Sequence, residues 1–186
     1  MIRKNIIAMW IIGILVLIAI VGTVLFYFQK TVGLNLKKDI NSFEECVSAG
    51  HSILESYPRQ CVTSGGKKFI ENIGNLIEKM DLIKVNNLLP NQTISSPITI
   101  EGAARGFWFF EGSFPISVLD ERENIISQSI ATSQGNWMTK NFVPFKATVE
   151  FGVDFPQNGT IIFKKNNPSG LAQNDDQLII PVKLSN

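Results

Sequence analysis

This 186-residue sequence has one histidine, two cysteines and almost no excess of positive charge, with a net charge of +1. With one histidine, histidine-based catalysis and metal sites built from several histidines are largely excluded. After Lys30 there are 14 basic and 16 acidic residues, which gives a net charge of −2. A nucleic-acid-binding surface needs a basic stripe that neutralises phosphates. We therefore expect no nucleic-acid partner.

The motifs of common enzyme classes are absent as well. The sequence contains no G-x-S-x-G, no H-E-x-x-H and no G-x-x-x-x-G-K-S/T. A carboxylate pair for glycan cleavage, such as Glu101 with Glu111, is the remaining catalytic alternative, and it would be unusual on a small domain. We expect that the protein is not an enzyme and that it uses no cofactor.

Acidic residues cluster in two turns, Asp120 to Glu123 and Asn174 to Asp176. Calcium takes six to eight oxygen ligands, but neither cluster has the spacing of a known calcium loop. Loops between strands are ordinarily polar. We interpret both clusters as solvated turns and expect no metal, with calcium binding as the alternative.

A single long apolar run lies near the amino terminus. The 23 residues from Ile6 to Phe28 carry no charge. As a helix that rises about 1.5 Å per residue, a run of this length is long enough to cross a hydrocarbon core of about 30 Å. A cleaved signal peptide is the alternative, yet no small-x-small cleavage site follows. We predict a transmembrane anchor over residues 1–30 and a spacer over 31–41. The rest is expected outside the cytoplasm, because long domains translocate largely regardless of nearby charge.

Residues 42–81 are predicted to form a small segment around the two cysteines. Ser42 and Glu45 match a capping box, and Gly50 is placed to end the helix after two turns. Ser64-Gly65-Gly66 lies between two strand-like stretches, Arg59 to Thr63 and Lys67 to Glu71, and indicates a hairpin. Apolar residues at spacings of three and four predict a connecting helix over Phe69 to Met80, interrupted at Gly74.

Cys46 falls on the predicted helix and Cys61 on the first strand of the hairpin. Two cysteines in segments too small to have their own core are most simply explained by one disulfide that joins them. A redox pair or half of a metal site is the alternative, but C-x-x-C spacing is missing. We therefore predict a structural disulfide between Cys46 and Cys61.

From residue 82 to 186 the pattern changes to short strands. Apolar and polar residues alternate within Pro97 to Asp120, and again from Phe145 to Phe155. Seven or so such strands, separated by Gly, Pro and Asn turns, predict an immunoglobulin-like antiparallel β-sandwich. Because no Cys–Trp–Cys core is present, apolar packing alone is expected to hold it. The whole chain is thus predicted to be mainly β, with a transmembrane α-helix and the disulfide-pinned segment in front.

Several side chains in the connecting segments are not required by strand alternation. They are candidate partner-binding residues, since Trp, Met and Arg are enriched at interfaces: Arg105, Trp108, Phe110, Glu111, Trp137 and Met138. Arg105 and Glu111 are expected to pair with each other. The alternative is that the aromatics cap the open end of the sandwich as core. We favour that alternative for Trp137 and Phe142 more than for Trp108.

A series of short motifs resembles a known family. In chain order they are Leu82-Ile-Lys-Val85, Ile94-Ser-Ser-Pro97, Ile98 to Gly102, Ala104-Arg105-Gly106, Trp108-Phe-Phe-Glu111, Trp137-Met-Thr139, Phe142-Val-Pro-Phe145, Asn167-Pro-Ser-Gly170 and Ile180-Pro-Val182. Together they resemble the immunoglobulin-like domain of bacterial spore germination, the GerMN-associated domain, over about residues 82–185. This resemblance implies an extracytoplasmic, membrane-tethered bacterial module that binds or builds envelope structures and does not catalyse.

The sequence thus predicts a non-catalytic binding module anchored in the cell membrane by a single pass. Its expected partners, besides the membrane, are an envelope protein or a cell-wall glycan. The alternative is a structural, self-associating subunit of an envelope or germination-related assembly.

Overall fold

The computed structural model describes residues 14–27 and 39–186. These described residues fall into two compact units, with the division between Ile40 and Asn41. Residues 14–27 are helical (α1). The anchor predicted over residues 1–30 and the spacer predicted over 31–41 lie partly outside the described residues. Within the described ranges, no helix combines the length and the apolarity that a membrane crossing requires.

The two-cysteine segment opens the second unit, and its predicted capped helix, hairpin and disulfide are confirmed. Helix α2 spans Phe43–Ser48, and its N-cap Ser42 accepts a hydrogen bond from Glu45 N at 3.1 Å. The Glu45 carboxylate in turn accepts from Asn41 N at 2.9 Å. Cys46 is bonded to Cys61 of the hairpin, with 6.0 Å between the two Cα atoms. Strands β1 (Ser52–Leu54), β2 (Gln60–Val62) and β3 (Lys68–Ile70) form a three-stranded sheet.

The connecting helix predicted over Phe69 to Met80 is wrong for most of its length. Phe69 pairs with Cys61 in the hairpin, so the first part is strand. Gly74 then adopts φ +66°, which ends any regular element, and only Leu76–Lys79 form a helical turn (α3). A β-carbon on Gly74 would lie 1.9 Å from Ile179 O, so the glycine allows the segment to approach the sandwich closely.

The sandwich is one eight-stranded sheet that curls over on itself. Its strand order is β4-β6-β9-β8-β7-β10-β11-β5. The strands are β4 (Ile83–Val85), β5 (Thr93–Ser95), β6 (Ile98–Arg105), β7 (Ser113–Leu119), β8 (Ile125–Ser133), β9 (Phe142–Val149), β10 (Gln157–Lys164) and β11 (Gln177–Ser185). All pairs are antiparallel except β5 with β11, which is parallel and which the alternation of residue types did not indicate.

The curl produces two layers with a common core. Strands β8 and β9 share only two paired positions, at Thr132 and Ser133, so the sheet folds over there. The ring of Phe145 on β9 lies 5.0 Å from Phe114 on β7 and 6.3 Å from Phe163 on β10, although neither strand is hydrogen-bonded to β9. The apolar packing predicted for the core is therefore observed between the layers.

The strand predicted to run from Phe145 to Phe155 ends earlier than expected. Strand β9 stops at Val149, after which Phe151 is half-buried and Phe155 is exposed. The alternation continues in the sequence, but the chain no longer has a neighbouring strand to hold it extended.

The outer edge of β11 is covered by the connecting segment. Asn75 accepts from Ile179 N at 2.7 Å and donates from Nδ2 to Gln177 O at 2.9 Å. Farther along, Asn91 N donates to Pro181 O at 2.7 Å. These contacts satisfy backbone groups that an edge strand would otherwise expose.

An ion pair with one buried partner, Glu71, joins the small sheet to the sandwich. Glu71 is 7% exposed and accepts from Arg59 Nε at 2.9 Å, from Arg59 Nη2 at 2.6 Å and from Asn91 Nδ2 at 3.3 Å. The hydrogen bonds from Arg59 lower the pKa of the Glu71 carboxyl, against the burial that raises it, and the bond from Asn91 lowers it further. The same pairing raises the pKa of Arg59.

Candidate binding site at one end of the sandwich

Three connecting segments meet at one end of the sandwich, which we call the loop end. They are residues 106–112 after β6, residues 134–141 after β8 and residues 165–176 after β10. Gly106 N donates to Asn141 O at 3.1 Å, and Asn166 N donates to Trp108 O at 3.0 Å. The backbone of the first segment is therefore bonded to each of the other two.

Trp108 anchors the first of these segments. It lies in the 3₁₀ turn Gly106–Trp108, and its side chain is completely buried in the core. Its indole Nε1 has no hydrogen-bond partner among the described residues. The expectation that Trp108 is less core-like than Trp137 and Phe142 is thus wrong, because the 3₁₀ turn rotates it inward while the other two are half-buried.

Trp137 supports the second segment and is half-buried against the core. A β-carbon on Gly112 would lie 3.3 Å from Trp137 Cδ1, and one on Gly106 would lie 2.0 Å from Thr139 O. Both glycines let the segments approach each other closely. Trp137 therefore holds the two loops together and is less deeply buried than the core interpretation predicts.

Arg105 has a structural role at this end. Its Nε donates to Asp81 O at 2.9 Å and its Nη1 to Lys140 O at 3.4 Å, while its guanidinium lies 4.2 Å from the ring centre of half-buried Phe142. No ion pair within the described part of the chain joins Arg105 to Glu111, so that expected pair is not formed.

Glu111 occupies the tip of a tight turn. Glu111 and Gly112 have φ values of +50° and +72°, and Phe110 and Ser113 exchange backbone hydrogen bonds across them. The side chain of Glu111 is exposed. Glu101, the other member of the catalytic alternative, instead pairs with Lys146 at 2.9 Å.

The acidic turns form hydrogen bonds within the fold. Asp120 accepts from the side chain and backbone of Asn124 and from Arg122 N, and the bonds from Asn124 are the main cause that lowers the pKa of Asp120. Asp176 pairs with Lys79 at 2.6 Å. Over the described ranges, no three His, Cys, Asp or Glu side chains are grouped to hold a metal ion.

Four apolar side chains remain exposed on the three segments. We call them the apolar patch: Phe107 (50% exposed), Phe110 (39%), Met138 (75%) and Leu171 (53%). The ammonium of Lys165 lies 6.0 Å from the ring centre of Phe107. Sequence reasoning selected Phe110 and Met138 but missed Phe107 and Leu171. The run Phe107 to Phe110 was the signal for Phe107, because four consecutive aromatics in an extended segment cannot all point inward. The sequence carries no comparable signal for Leu171.

The geometry at the loop end suits binding more than chemistry. The exposed side chains there include four large apolar ones among polar neighbours, they are carried by loops, and the loops are fixed from behind by the buried Trp108 and half-buried Trp137. Such an arrangement offers a rigid contact surface. In immunoglobulin variable domains the loops of one end form the binding site.

Comparison with known proteins agrees with this architecture. Residues 82–171 match the family model described as the immunoglobulin-like domain of bacterial spore germination. Comparison with curated proteins gives no significant match, and comparison with solved structures gives none either. The match to this family model is the one that the motifs of the sequence predicted, and it covers residues 82–171.

Proposed function

We propose that this protein, whose residues 82–171 match the immunoglobulin-like spore germination domain, is a non-catalytic binding module of the bacterial envelope, held at the membrane by its amino-terminal segment. The observation that carries the proposal is the apolar patch on three interconnected loops. Large apolar side chains grouped at one place on a surface commonly mark an interaction site. The partner is an envelope protein or a cell-wall glycan, which the exposed aromatic rings would contact.

The binding proposal is tested by crosslinking from two positions of the full chain in intact cells. Met138→Cys places a thiol on the apolar patch, and Phe155→Cys places one at the opposite end, where Phe155 is also an exposed apolar residue. With a thiol-attached photo-crosslinker, we expect adducts with an envelope protein or glycan from position 138 and few from position 155. Adding Phe107→Ala should reduce the adducts from position 138 several-fold and leave the melting temperature almost unchanged, because Phe107 is half-exposed.

Two outcomes would refute the binding proposal. One is equal adduct formation from both positions, which would indicate random contact. The other is an undiminished yield with Phe107→Ala.

The location outside the cytoplasm is supported by the cysteines. Cys46 and Cys61 are bonded to each other and fully buried, and disulfides persist in oxidising compartments. If protein from acid-quenched cells is unfolded and alkylated without reduction, mass spectrometry should find neither cysteine alkylated. The Met138→Cys variant serves as the control and should give one alkylated thiol. Two alkylated native cysteines would contradict the proposed location.

A further inference from the structure

The two layers of the sandwich present very different outer faces. An antiparallel sheet with one face on the core commonly turns a polar face to water. The outward residues of β4, β6 and β9 follow this rule, because they include four charged side chains, those of Lys84, Glu101, Arg105 and Lys146. The outward residues of β7, β8, β10 and β11 depart from it.

The alternation of burial identifies the residues of this second outer face. Even-numbered residues of β7 and β11 and odd-numbered residues of β10 are buried, so the residues between them point outward. The register with β7 places Ile130 of β8 opposite Pro115. A shift in that register then places Ile125 opposite Leu119. We call this surface the neutral face, and its main apolar members are Pro115, Leu119, Ile125, Ile130, Ile162 and Ile179.

The neutral face has no charge across its middle. Strands β7 and β8 contain no charged residue, and the outward lysines of β10 and β11, Lys164 and Lys183, lie near opposite ends of the face. Ile125 and Ile130 are 59% and 58% exposed, and Ile162 is half-buried. Apolar side chains grouped on an open surface in this way commonly mark an interface.

The size of the neutral face limits how tightly it can bind. Four strands about 4.8 Å apart, each about seven residues long at about 3.4 Å per residue, cover roughly 450 Å². Two such faces packed together would bury roughly 900 Å², which is below the roughly 1,200–2,000 Å² of stable interfaces. The area therefore suits a weak, reversible association.

We infer that the neutral face packs against the neutral face of a second copy of this chain in a weak two-fold dimer. A two-fold axis lets one surface serve both partners, and two sheets pack face to face through their apolar side chains. Because the middle of the face is uncharged, self-association brings no like charges into opposition there. A strongly charged partner would find no complementary charge on it. The neutral face is separate from the apolar patch, so the inference does not depend on the proposed function.

The dimer is tested by crosslinking of the purified full chain with a short bis-maleimide. Ser117 lies in the middle of the neutral face, so a two-fold axis through that middle brings the thiols of two Ser117→Cys copies close together. Thr148→Cys is the matched control, because Thr148 is an outward residue of β9 in the other layer. The native cysteines do not interfere, because the sequence has only two and they are bonded to each other. At equal protein concentration, we expect several-fold more dimer from position 117 than from position 148.

Ile130→Glu tests whether the apolar character of the neutral face drives the association. Because an unpaired carboxylate is costly to bury, the variant should raise the dimer dissociation constant, measured by sedimentation, by roughly tenfold or more. Ile70→Glu, at an exposed isoleucine of the small sheet, and Phe107→Ala, on the apolar patch, should leave the constant unchanged. Gln128→Glu, at an exposed polar position of the neutral face, repeats the test if Ile130→Glu lowers the melting temperature.

Several results would overturn the inference. Equal crosslinking from positions 117 and 148 would show random collision, and a chain that stays monomeric at its highest soluble concentration would show no dimer. An unchanged dissociation constant in both glutamate variants of the neutral face, or a loss of association in either control, would place the contact elsewhere. In intact cells, crosslinking of position 117 to a different protein in place of a second copy would also contradict the inference.

Discussion

Trp108→Ala is expected to lower the free energy of unfolding by about 3–5 kcal/mol, because the side chain is fully buried and its removal leaves a large cavity. Domains of this kind are stable by only about 5–15 kcal/mol, so the variant would be close to unfolded. Denaturant unfolding of the full chain, followed by tryptophan fluorescence and by circular dichroism, measures the change.

Trp108→Phe makes the prediction specific to the indole. It keeps much of the buried ring and removes the Nε1 N–H that lacks a partner within the described ranges. A buried unpaired donor costs about 1–3 kcal/mol, and its removal offsets part of the lost packing. We therefore expect a much smaller loss than for alanine. Phe107→Ala, one residue earlier and half-exposed, is the control. A Trp108→Ala protein that unfolds like wild type would contradict the assignment.

The buried position of Trp108 illustrates where sequence patterns lose information. Period-two alternation predicted β6, β7 and β9 because those strands have one buried face. Between Arg105 and Ser113 the chain instead makes a 3₁₀ turn and a tight turn. There Trp108 and Phe109 are both buried while Phe107 and Phe110 are exposed. No fixed period describes that order, so the sequence could not show which members of the aromatic run are exposed and which are buried.

Local signals predicted well wherever short-range chemistry decides the structure. Ser42, Glu45 and Gly50 bound helix α2 as expected, since caps depend on residues within one turn. The helix predicted over Phe69 to Met80 is wrong because tertiary contacts outweigh the local pattern. Phe69 pairs with Cys61, and Gly74 lies close to Ile179. Apolar residues spaced by three and four positions also occur by chance outside helices. The parallel pairing of β5 with β11 joins residues about 90 positions apart in the chain, and no local pattern encodes it.

Breaking the pair of Arg59 and Glu71 is expected to have the second largest effect, about 3 kcal/mol for Arg59→Met. The substitution leaves Glu71 charged and almost fully buried with Asn91 as its remaining side-chain donor. Arg59 itself is 54% exposed, which places the loss at the lower end of the range for buried pairs. Because Glu71 and Asn91 join the three-stranded sheet to the sandwich, the loss should loosen that connection first.

The same pair predicts a pH dependence with a definite sign. The pKa of Glu71 in the folded protein is below its ordinary value of 4.5, so the unfolded state binds the proton more readily. The pair's contribution to stability is therefore fully present above about pH 4.5 and is lost as the pH falls through the lower, folded-state pKa. Glu71→Gln should be less stable at neutral pH and should lose less stability than wild type on acidification.

Glu101→Gln is the matched control, because Glu101 also pairs with a cation, Lys146, but both side chains are about half-exposed. An exposed pair contributes about 0–1 kcal/mol, so this variant should follow the wild-type acid profile closely. Asp120 also has a lowered pKa, so its own contribution to the loss of stability on acidification should remain in both variants. If the unfolding free energies of Glu71→Gln and wild type fall in parallel between pH 7 and pH 3, the carboxylate of Glu71 does not stabilise the join between the small sheet and the sandwich.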